Sequence, residues 1–544
     1  MLAYCFRPLS FRPGESMEKG RFWEKRDSMK NRTALFRGET AARHRKMEWR
    51  LALVVFLLEW ALGIYMGYRG VLLGDAMSRT ANAFYVLYSQ PYRLTSMGLV
   101  WNPLPSLIQL PFVWASKLWR PLVTKGISMS FASALFAAWG AKALYRCFHM
   151  MKCRERHALI ILLLYLLNPY VAFYGANGMT EIMMGAAGIQ VISSLTGWLR
   201  KGKPYFLIEM GMSFVIMFLI RYEAVPFAVF IAVGMALHIL ISKQEKRYYP
   251  EKGLEPLWYV ESTLWVTFLP VIFTAVCWVI YNWSIAGNPL YFMNSGYSMS
   301  AYSAYYQDYG GLLSAVSFVF SRVWPMLIPL TALLLARMIT RTFVRYETLI
   351  IILAVLGLTG FTTVMILLGK SGGYVRYLCY PLFFAPAFVP FAVSAAGEQG
   401  GRVVRITAAG MLAACLVFVW GFRYSSIFRE DLVLNVPARS ETVADYLNAN
   451  CRGSKVLMDS YRTYYVIMNA DDPESWVISC SPEFEDCVAD PVRTGVDYMV
   501  VPQIGSYGNM DALNIAWPDL YNGGEDWAEE IAGIGEFKVF RVKR

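Results

Sequence analysis

The sequence has few charged residues and lacks the short motifs of several common classes of protein. Only 17% of its 544 residues are charged, whereas a typical soluble domain has about 25%. It contains no CxxC pair, which argues against a zinc or thiol-redox motif. It contains no GxGxxG or P-loop, so nothing in it indicates nucleotide binding. The first fifty residues hold no apolar run, so we expect no signal peptide.

Hydrophobic residues, in contrast, make up 56% of the chain, and the mean hydropathy is +0.38. This composition predicts a polytopic membrane protein that is mainly α-helical. A helix needs about 20 apolar residues to cross a bilayer. By this measure we predict about eleven transmembrane helices, centred on residues 51–69, 127–146, 157–174, 181–199, 205–221, 224–242, 259–284, 312–336, 347–369, 376–395 and 403–422.

The distribution of charge predicts the orientation of these helices. Lys and Arg are concentrated in the N-terminal segment and in every second loop, which is typical of the cytoplasmic side. The part of the chain from Arg423 onward has 11 Lys and Arg but 20 Asp and Glu, a net charge of −9, so the remainder carries +21. We therefore predict a multi-pass protein of the cell membrane with a cytoplasmic N-terminus and an extracytoplasmic C-terminal domain. This separation of charge does not indicate nucleic-acid binding.

Three regions follow from this division. Residues 1–50, with 13 Lys and Arg and 6 Asp and Glu, are expected to be a disordered cytosolic tail. Residues 51–422 form the predicted transmembrane domain. Residues 423–544 alternate between strand-like and helix-like segments, which predicts a small α/β domain. Its cysteines, Cys451, Cys480 and Cys487, allow one disulfide whose pairing the sequence does not determine.

Asp75 is the first candidate for chemistry because it follows the first apolar segment, at the mouth of a membrane span. One hypothesis makes it a general base that accepts a proton from a hydroxyl group. The other makes it the N-cap of the helix that follows, since Asp is a favoured N-cap residue. Glu181, at the start of the fourth span, is predicted to lie on the same side. It either supports Asp75 or simply complements the dipole of its helix.

Basic and aromatic residues on the same predicted side complete the candidate site. Arg376 has the bidentate geometry that suits a phosphate, or it anchors the chain at the lipid headgroups. Arg221 either joins it or forms a structural ion pair with Glu223, and Arg79 is one turn from Asp75 and able to pair with it. The remaining candidates for lining a substrate site, or for binding phosphate in the case of the lysine, are Lys370, Trp101, Asn102, Asn177, Tyr305 and Tyr306.

In order and sidedness, these features resemble the GT-C glycosyltransferases, which use polyprenyl-phosphate sugars and include protein O-mannosyltransferases and aminoarabinose transferases. The resemblance covers residues 51–544. It rests on Asp75 in a long first loop, the turn Trp101–Asn102–Pro103–Leu104–Pro105, Asn168–Pro169 with Glu181, and Arg376–Tyr377 with Pro381 and Pro386. Protein O-mannosyltransferases have an Asp-Glu pair in the first loop, whereas Ala76 follows Asp75 here, and no MIR-like insertion is present.

The resemblance implies an inverting transferase that moves a hexose or pentose from a polyprenyl phosphate to a cell-envelope glycan, a lipid or a protein on the outer face. It assigns the base to Asp75, a supporting role to Glu181, and phosphate binding to Arg376, Lys370 and Arg221. The sequence requires no cofactor and leaves metal dependence open. Two other functions remain: transport of a lipid-linked glycan, and an assembly protein whose outer domain recruits a partner.

Overall fold

The computed structural model describes residues 15–242, 256–298, 310–433, 435–505 and 508–544. The chain divides into two compact units, Met1–Leu51 and Ala52–Arg544, and all the elements discussed below after the first helix lie in the second unit. The predicted boundary between residues 422 and 423 is not one of these divisions and stays a prediction. Tyr305 and Tyr306 fall outside the described residues.

The first helix, α1, spans Glu15–Tyr68 and therefore includes most of the segment that was expected to be disordered. Residues 15–50 contain no proline and are rich in Glu, Lys, Arg, Met and Ala. These residues have high helix propensity even where they bury little surface. The expectation that residues 1–50 form a disordered cytosolic tail stays a prediction.

The first loop folds into a series of short helices. They are α2 (Gly74–Tyr88), a 3₁₀ turn (Leu94–Met97), α3 (Leu104–Leu107), α4 (Leu110–Ala115) and α5 (Pro121–Thr124). Pro105, Pro111 and Pro121 occupy the first turns of α3, α4 and α5, where a missing N–H costs no helical hydrogen bond. Trp114 and Leu118 are exposed, as expected for helices that lie along a membrane surface.

Long apolar helices and a few short ones make up the rest of the membrane domain. Their bounds are α6 (Ile127–Met150), α7 (Glu155–Leu166), α8 (Pro169–Ala176), α9 (Thr180–Lys201), α10 (Tyr205–Ile220), α11 (Ala224–Ile241), α12 (Pro256–Ala286), α13 (Tyr291–Asn294), α14 (Leu312–Ile339), α15 (Glu347–Leu367), α16 (Tyr380–Ala387), α17 (Val389–Ala396) and α18 (Gly400–Tyr424).

The count of eleven transmembrane helices is not confirmed. Within the described residues, eight helical segments are long and apolar enough to cross a membrane, or nine if the bent pair α7 and α8 forms one span. Pro169 interrupts the helix between α7 and α8, since a proline lacks the backbone N–H that a continuous helix needs. The two helices meet at an angle of 70° on either side of Asn168. The helix α10 is apolar but has only 16 residues, and α16 to α18 count as a single segment by length and composition. The chain is a multi-pass membrane protein.

The helix α9 forms the centre of the membrane domain, and its apolar window is entirely buried. It packs against α6, α10 and α16. Glycines make these contacts close: a Cβ on Gly185 or Gly188 would lie within 3 Å of the rings of Phe383 and Phe384 on α16. The start of α9, where Glu181 lies, is therefore held firmly against its neighbours.

The C-terminal region contains a five-stranded sheet with helices α19 to α24. The strands are β1 (Val456–Leu457), β2 (Trp476–Val477), β3 (Tyr498–Pro502), β4 (Ala528–Ile534) and β5 (Phe537–Val542), in the order β2-β1-β3-β5-β4. The first three strands are parallel, and β5 is antiparallel to both of its neighbours. The helices are α19 (Glu430–Val433), α20 (Ser440–Asn450), α21 (Ser460–Met468), α22 (Phe484–Ala489), α23 (Ala512–Ala516) and α24 (Leu520–Gly523). The predicted small α/β arrangement is observed.

This region is attached to the first loop by side-chain hydrogen bonds. Arg120 donates to the carbonyl oxygens of Met468 and Ala470 at 2.9 and 2.6 Å, and Tyr465 donates to the carbonyl of Thr124 at 2.8 Å. In addition, α21 packs against α2. The C-terminal sheet is consequently fixed beside the helix that carries Asp75.

Cysteines do not stabilise this region through a disulfide. Cys451, Cys480 and Cys487 are all free thiols. The disulfide that the sequence allowed is therefore not formed among the described residues.

Candidate functional site

Asp75 lies in the first turn of α2 but does not cap it. The N-cap is Leu73, and no side chain accepts a hydrogen bond there. The carboxylate instead accepts a hydrogen bond from Arg376, with Nη2 2.9 Å from Oδ2. The Asp75 side chain is 38% exposed, whereas that of Arg376 is 5% exposed. The N-cap hypothesis is therefore wrong, and the carboxylate is half open to solvent beside a buried guanidinium.

Two tyrosine rings hold Arg376 in place. Arg376 belongs to a 3₁₀ turn, Val375–Leu378, and its guanidinium carbon lies 4.9 Å from the ring centre of Tyr374 and 5.2 Å from that of Tyr377. The backbone N–H of Val375 donates to Glu430, so the start of the turn is tied to α19. Arg376 is fixed, and the more exposed Asp75 is the partner with room to move.

Arg221 brings two acidic residues together between α10 and α11. Its Nη1 donates to Glu181 Oε1 at 2.8 Å and to Thr180 at 3.1 Å, and its Nε donates to Glu223 Oε1 at 3.0 Å. Burial lowers the pKa of Arg221, but Glu223, Tyr380 and Glu181 outweigh burial and leave that pKa well above its ordinary value. Burial likewise raises the pKa of Glu223, but Arg221 outweighs it and keeps the pKa low. Both groups are therefore charged at neutral pH.

Glu181 connects this ion pair to the first one. Its Oε1 lies 3.9 Å from Arg376 Nε as well as 2.8 Å from Arg221. Tyr377 lies between the two guanidinium groups, because Arg221 is 5.3 Å from the ring centre that Arg376 also contacts. Residues from four separate parts of the chain thus form one charged cluster.

Arg79 and Trp101 extend the cluster along α2. The Arg79 guanidinium lies over the Trp101 ring, 4.3 Å from its centre, and its Nη1 donates to the backbone carbonyl of Asp75 at 3.0 Å. The expected pairing of Arg79 with the Asp75 carboxylate is not observed. Burial lowers the pKa of Arg79, and the charge of Asp75 opposes that effect.

The remaining predicted residues do not share one location. Asn102 is buried and donates to the carbonyl of Phe218 at 2.5 Å, which ties the first loop to α10. Asn177 is buried and accepts from the N–H of Met179 at 3.0 Å in a turn before α9. Lys370 is exposed, and its side chain makes no hydrogen bond or ion pair with the described residues. Asn102 is next in sequence to Trp101, which contacts Arg79 of the cluster.

Sequence reasoning missed two members of the cluster and underrated a third. Tyr374 and Tyr377 flank Arg376 directly, and the adjacency of aromatic residues to a candidate cation was the available signal. Glu223 was noted only as a structural partner of Arg221. Among the described residues, no group of three or more His, Cys, Asp or Glu side chains is arranged to hold a metal ion.

A second polar cluster lies where the parallel strands of the C-terminal sheet end. Asp459 follows β1, and its carboxylate accepts from Ser479 Oγ at 2.6 Å, from the N–H of Ala512 at 2.7 Å and from Tyr297 at 3.2 Å. Asp511 is also fully buried. Burial raises the pKa of both carboxyl groups, and the charge of Asp459 adds to the effect on Asp511. No cation forms an ion pair with either group within the described residues.

The fold and the first cluster together define a multi-pass membrane protein with buried arginines and carboxylates where its long first loop meets the ends of the spans. A search of solved structures finds ArnT from Cupriavidus metallidurans, once bound to undecaprenyl phosphate and once in the apo state. Both structures are 11% identical to this chain with a TM-score of 0.53, and the alignments cover 90% and 91% of this chain and 97% and 98% of ArnT.

No protein-family model matches the sequence, and no curated protein does. The likeness to ArnT, at low identity and over nearly the whole of both chains, shows the fold. This chain therefore has the fold of ArnT, and the predicted mainly α-helical membrane fold with a small C-terminal sheet is confirmed, apart from the count of eleven spans.

Proposed function

We propose that the chain is a membrane glycosyltransferase that moves one sugar from a polyprenyl-phosphate donor to a hydroxyl group of a glycan, lipid or protein acceptor. The observation that carries the proposal is the contact between Asp75 and Arg376, which are 301 positions apart in sequence and 2.9 Å apart in space. The likeness of the fold to an ArnT structure that contains undecaprenyl phosphate supports the same reaction class.

The proposed reaction assigns one task to each part of the cluster. Asp75 takes the proton from the acceptor hydroxyl as that oxygen bonds to the anomeric carbon. The bond between the anomeric carbon and the phosphate oxygen breaks, and its electron pair leaves with the phosphate. Attack from the face opposite the phosphate inverts the configuration of the sugar. Buried guanidinium groups stabilise the phosphate as its negative charge increases.

The contact with Arg376 positions Asp75 for this task, because it holds the carboxylate at the start of α2 beside a buried guanidinium. Glu181 and Glu223 are both engaged by Arg221, so their proposed role is to orient Arg221 and to support Asp75 from a distance. The 38% exposure of the Asp75 side chain leaves the approach that an acceptor hydroxyl requires.

We place the reaction on the outer face of the cell membrane. The excess of Lys and Arg in alternate loops supports a cytoplasmic N-terminus and an extracytoplasmic C-terminal domain. Under this orientation Asp75, Glu181, Arg221 and Arg376 all lie at the outer ends of spans. The proposal includes a lipid-linked donor and the bilayer as partners and requires no further cofactor.

The test is an Asp75→Asn variant in proteoliposomes with a panel of undecaprenyl-phosphate sugars, where release of undecaprenyl phosphate is measured. We expect a loss of about 10²- to 10⁴-fold, the usual contribution of a general base. Asp471→Asn, at a carboxyl that is 67% exposed and outside the cluster, is the matched control. Full activity of Asp75→Asn contradicts the assignment. Movement of the unmodified donor across the bilayer favours the alternative, a transporter or flippase of lipid-linked glycans.

A further inference from the structure

The charged cluster contains three arginines and three carboxylates, but they are not paired one to one. Arg221 engages both Glu181 and Glu223, and Arg376 engages Asp75. Arg79 has no carboxylate oxygen within 4 Å among the described residues. The cluster is neutral in total, yet Arg221 contacts two carboxylates and Arg79 contacts none of the described ones.

Arg79 is also short of hydrogen-bond acceptors. Its residue surface is 8% exposed, and in the described part of the chain its guanidinium donates only one hydrogen bond, to the Asp75 carbonyl. Its Nε is buried and has no acceptor among the described residues. A guanidinium has five N–H donors in a planar fork, so most of this donor capacity is unused.

A buried cation with unused donors is costly unless an anion enters beside it. The contact with Trp101 and the single hydrogen bond fix the plane of the Arg79 guanidinium without neutralising its charge. This is the preorganisation that bidentate recognition of a phosphate requires, because both ligand oxygens meet donors that are already aligned.

The position of Arg79 relative to Asp75 suits a phosphate-binding role for Arg79. The two residues are four positions apart on α2, and residues with this spacing lie on the same helix face, about 6 Å apart at Cβ. In an inverting displacement, the proton acceptor and the leaving phosphate lie on opposite sides of one carbon atom. One turn of a rigid helix is a suitable length to separate them.

We propose that Arg79 is the residue that receives the phosphate of the lipid-linked donor, while Arg376 holds Asp75 and Arg221 holds the two glutamates. This inference rests on the proposed function and changes the distribution of roles expected from the sequence, in which Arg376, Lys370 and Arg221 bound the phosphate and Arg79 only lined the site.

The test compares the affinity of the purified full-length protein for undecaprenyl phosphate with its affinity for the uncharged alcohol undecaprenol. The ratio of the two affinities isolates recognition of the phosphate, because a general loss of structure weakens both. In Arg79→Gln we expect this ratio to fall at least tenfold, the usual size of a hydrogen bond to a charged group. Arg79→Lys keeps the charge but loses the fork, so its ratio should fall by less.

Arg93→Gln is the matched control, because Arg93 is another first-loop arginine but donates to the carbonyl of Cys480, outside the cluster. Its ratio should equal that of the wild type. An unchanged ratio in Arg79→Gln, with a loss in Arg376→Gln instead, overturns the assignment to Arg79 and leaves the proposed function intact. A wild-type protein that does not distinguish undecaprenyl phosphate from undecaprenol overturns both.

Discussion

The two polar clusters of this protein give their carboxyl groups opposite kinds of partner. In the membrane domain, Asp75, Glu181 and Glu223 face guanidinium groups. In the C-terminal sheet, Asp459 faces hydroxyl and backbone N–H donors, and Asp511 accepts from the N–H of Leu513. Arg221 keeps the pKa of Glu223 low, whereas burial raises the pKa of Asp459 and of Asp511. The ion pairs of the first cluster could be exchanged for contacts with a charged substrate. The hydrogen bonds of the second cluster stabilise the fold.

The largest effect is expected when the cation of the first cluster is removed. Arg221→Gln leaves the buried Glu181 and the partly buried Glu223 without their shared partner. Breaking a buried ion pair in this way costs about 3–5 kcal/mol. The apparent melting temperature of the purified protein should fall by several degrees. Arg541→Gln, at an exposed ion pair on β5, is the control. An unchanged melting temperature for Arg221→Gln would contradict the view that this arginine holds both glutamates.

A smaller loss is expected from removing a neutral donor in the second cluster. Ser479→Ala removes the hydroxyl that donates to Asp459 at 2.6 Å, so a buried carboxyl oxygen loses one hydrogen bond. The free energy of unfolding should fall by about 1–3 kcal/mol. Thermal unfolding measures this cost against Ser475→Ala, whose hydroxyl bonds only to a nearby exposed carbonyl. Transfer activity under permissive conditions should remain, since Ser479 belongs to the fold and not to the first cluster.

The second cluster should also make stability depend on pH. The pKa of Asp511 is raised in the folded protein by burial and by Asp459, so the folded state binds a proton that the unfolded state releases above about pH 4. This contribution is fully present below the unfolded pKa and is lost as pH rises through the folded one. The slope is at most about 1.4 kcal/mol per pH unit. Asp511→Asn cannot titrate, so its melting temperature should decline less between pH 4 and 8. Parallel declines would contradict the raised pKa.

The smallest effect is expected at the exposed pair of Glu529 and Arg541 on the antiparallel edge of the sheet. The Arg541 side chain lowers the pKa of Glu529, but water screens the pair and holding two flexible side chains costs entropy. Glu529→Gln should leave the melting temperature unchanged within error. A clear loss there would show that ion pairs stabilise this protein wherever they occur, and the contrast between its two clusters would lose its meaning.

Much of the candidate site was predictable because the Lys and Arg content of each loop indicates on which side of the membrane it lies. Alternating Lys and Arg content predicted that Asp75, Glu181 and Arg376 lie at the same ends of different spans, and the structure brings these three side chains together. Lys370 was included by the same logic. It failed to join because it lies exposed in the loop before Tyr374 and lacks a rigid element to direct it.

Other features needed three-dimensional information. Hydropathy treats residues 157–174 as one span, because an apolar window does not register a 70° bend at Asn168–Pro169. The strand β4 is not evident from the sequence, because it contains Glu529, Glu530 and Gly533, which have low strand propensity. It forms by pairing with β5. The sequence also did not indicate that Arg79 lacks a carboxylate partner among the described residues. Its spacing of four residues from Asp75 predicts an ion pair, but the guanidinium lies over the ring of Trp101 instead.

The complete burial of the apolar window of α9 has a consequence for how the protein is made. Gln190, Ser193, Ser194 and Thr196 lie on this helix and are all sheltered by protein. One of the helices that surrounds it, α16, is synthesised almost 200 residues later. Until α16 has been synthesised, the face of α9 that carries Gly185 and Gly188 lacks the rings of Phe383 and Phe384 that cover it in the folded protein. Nascent chains that stop before residue 380 should therefore depend on membrane chaperones and be prime targets for quality-control proteolysis.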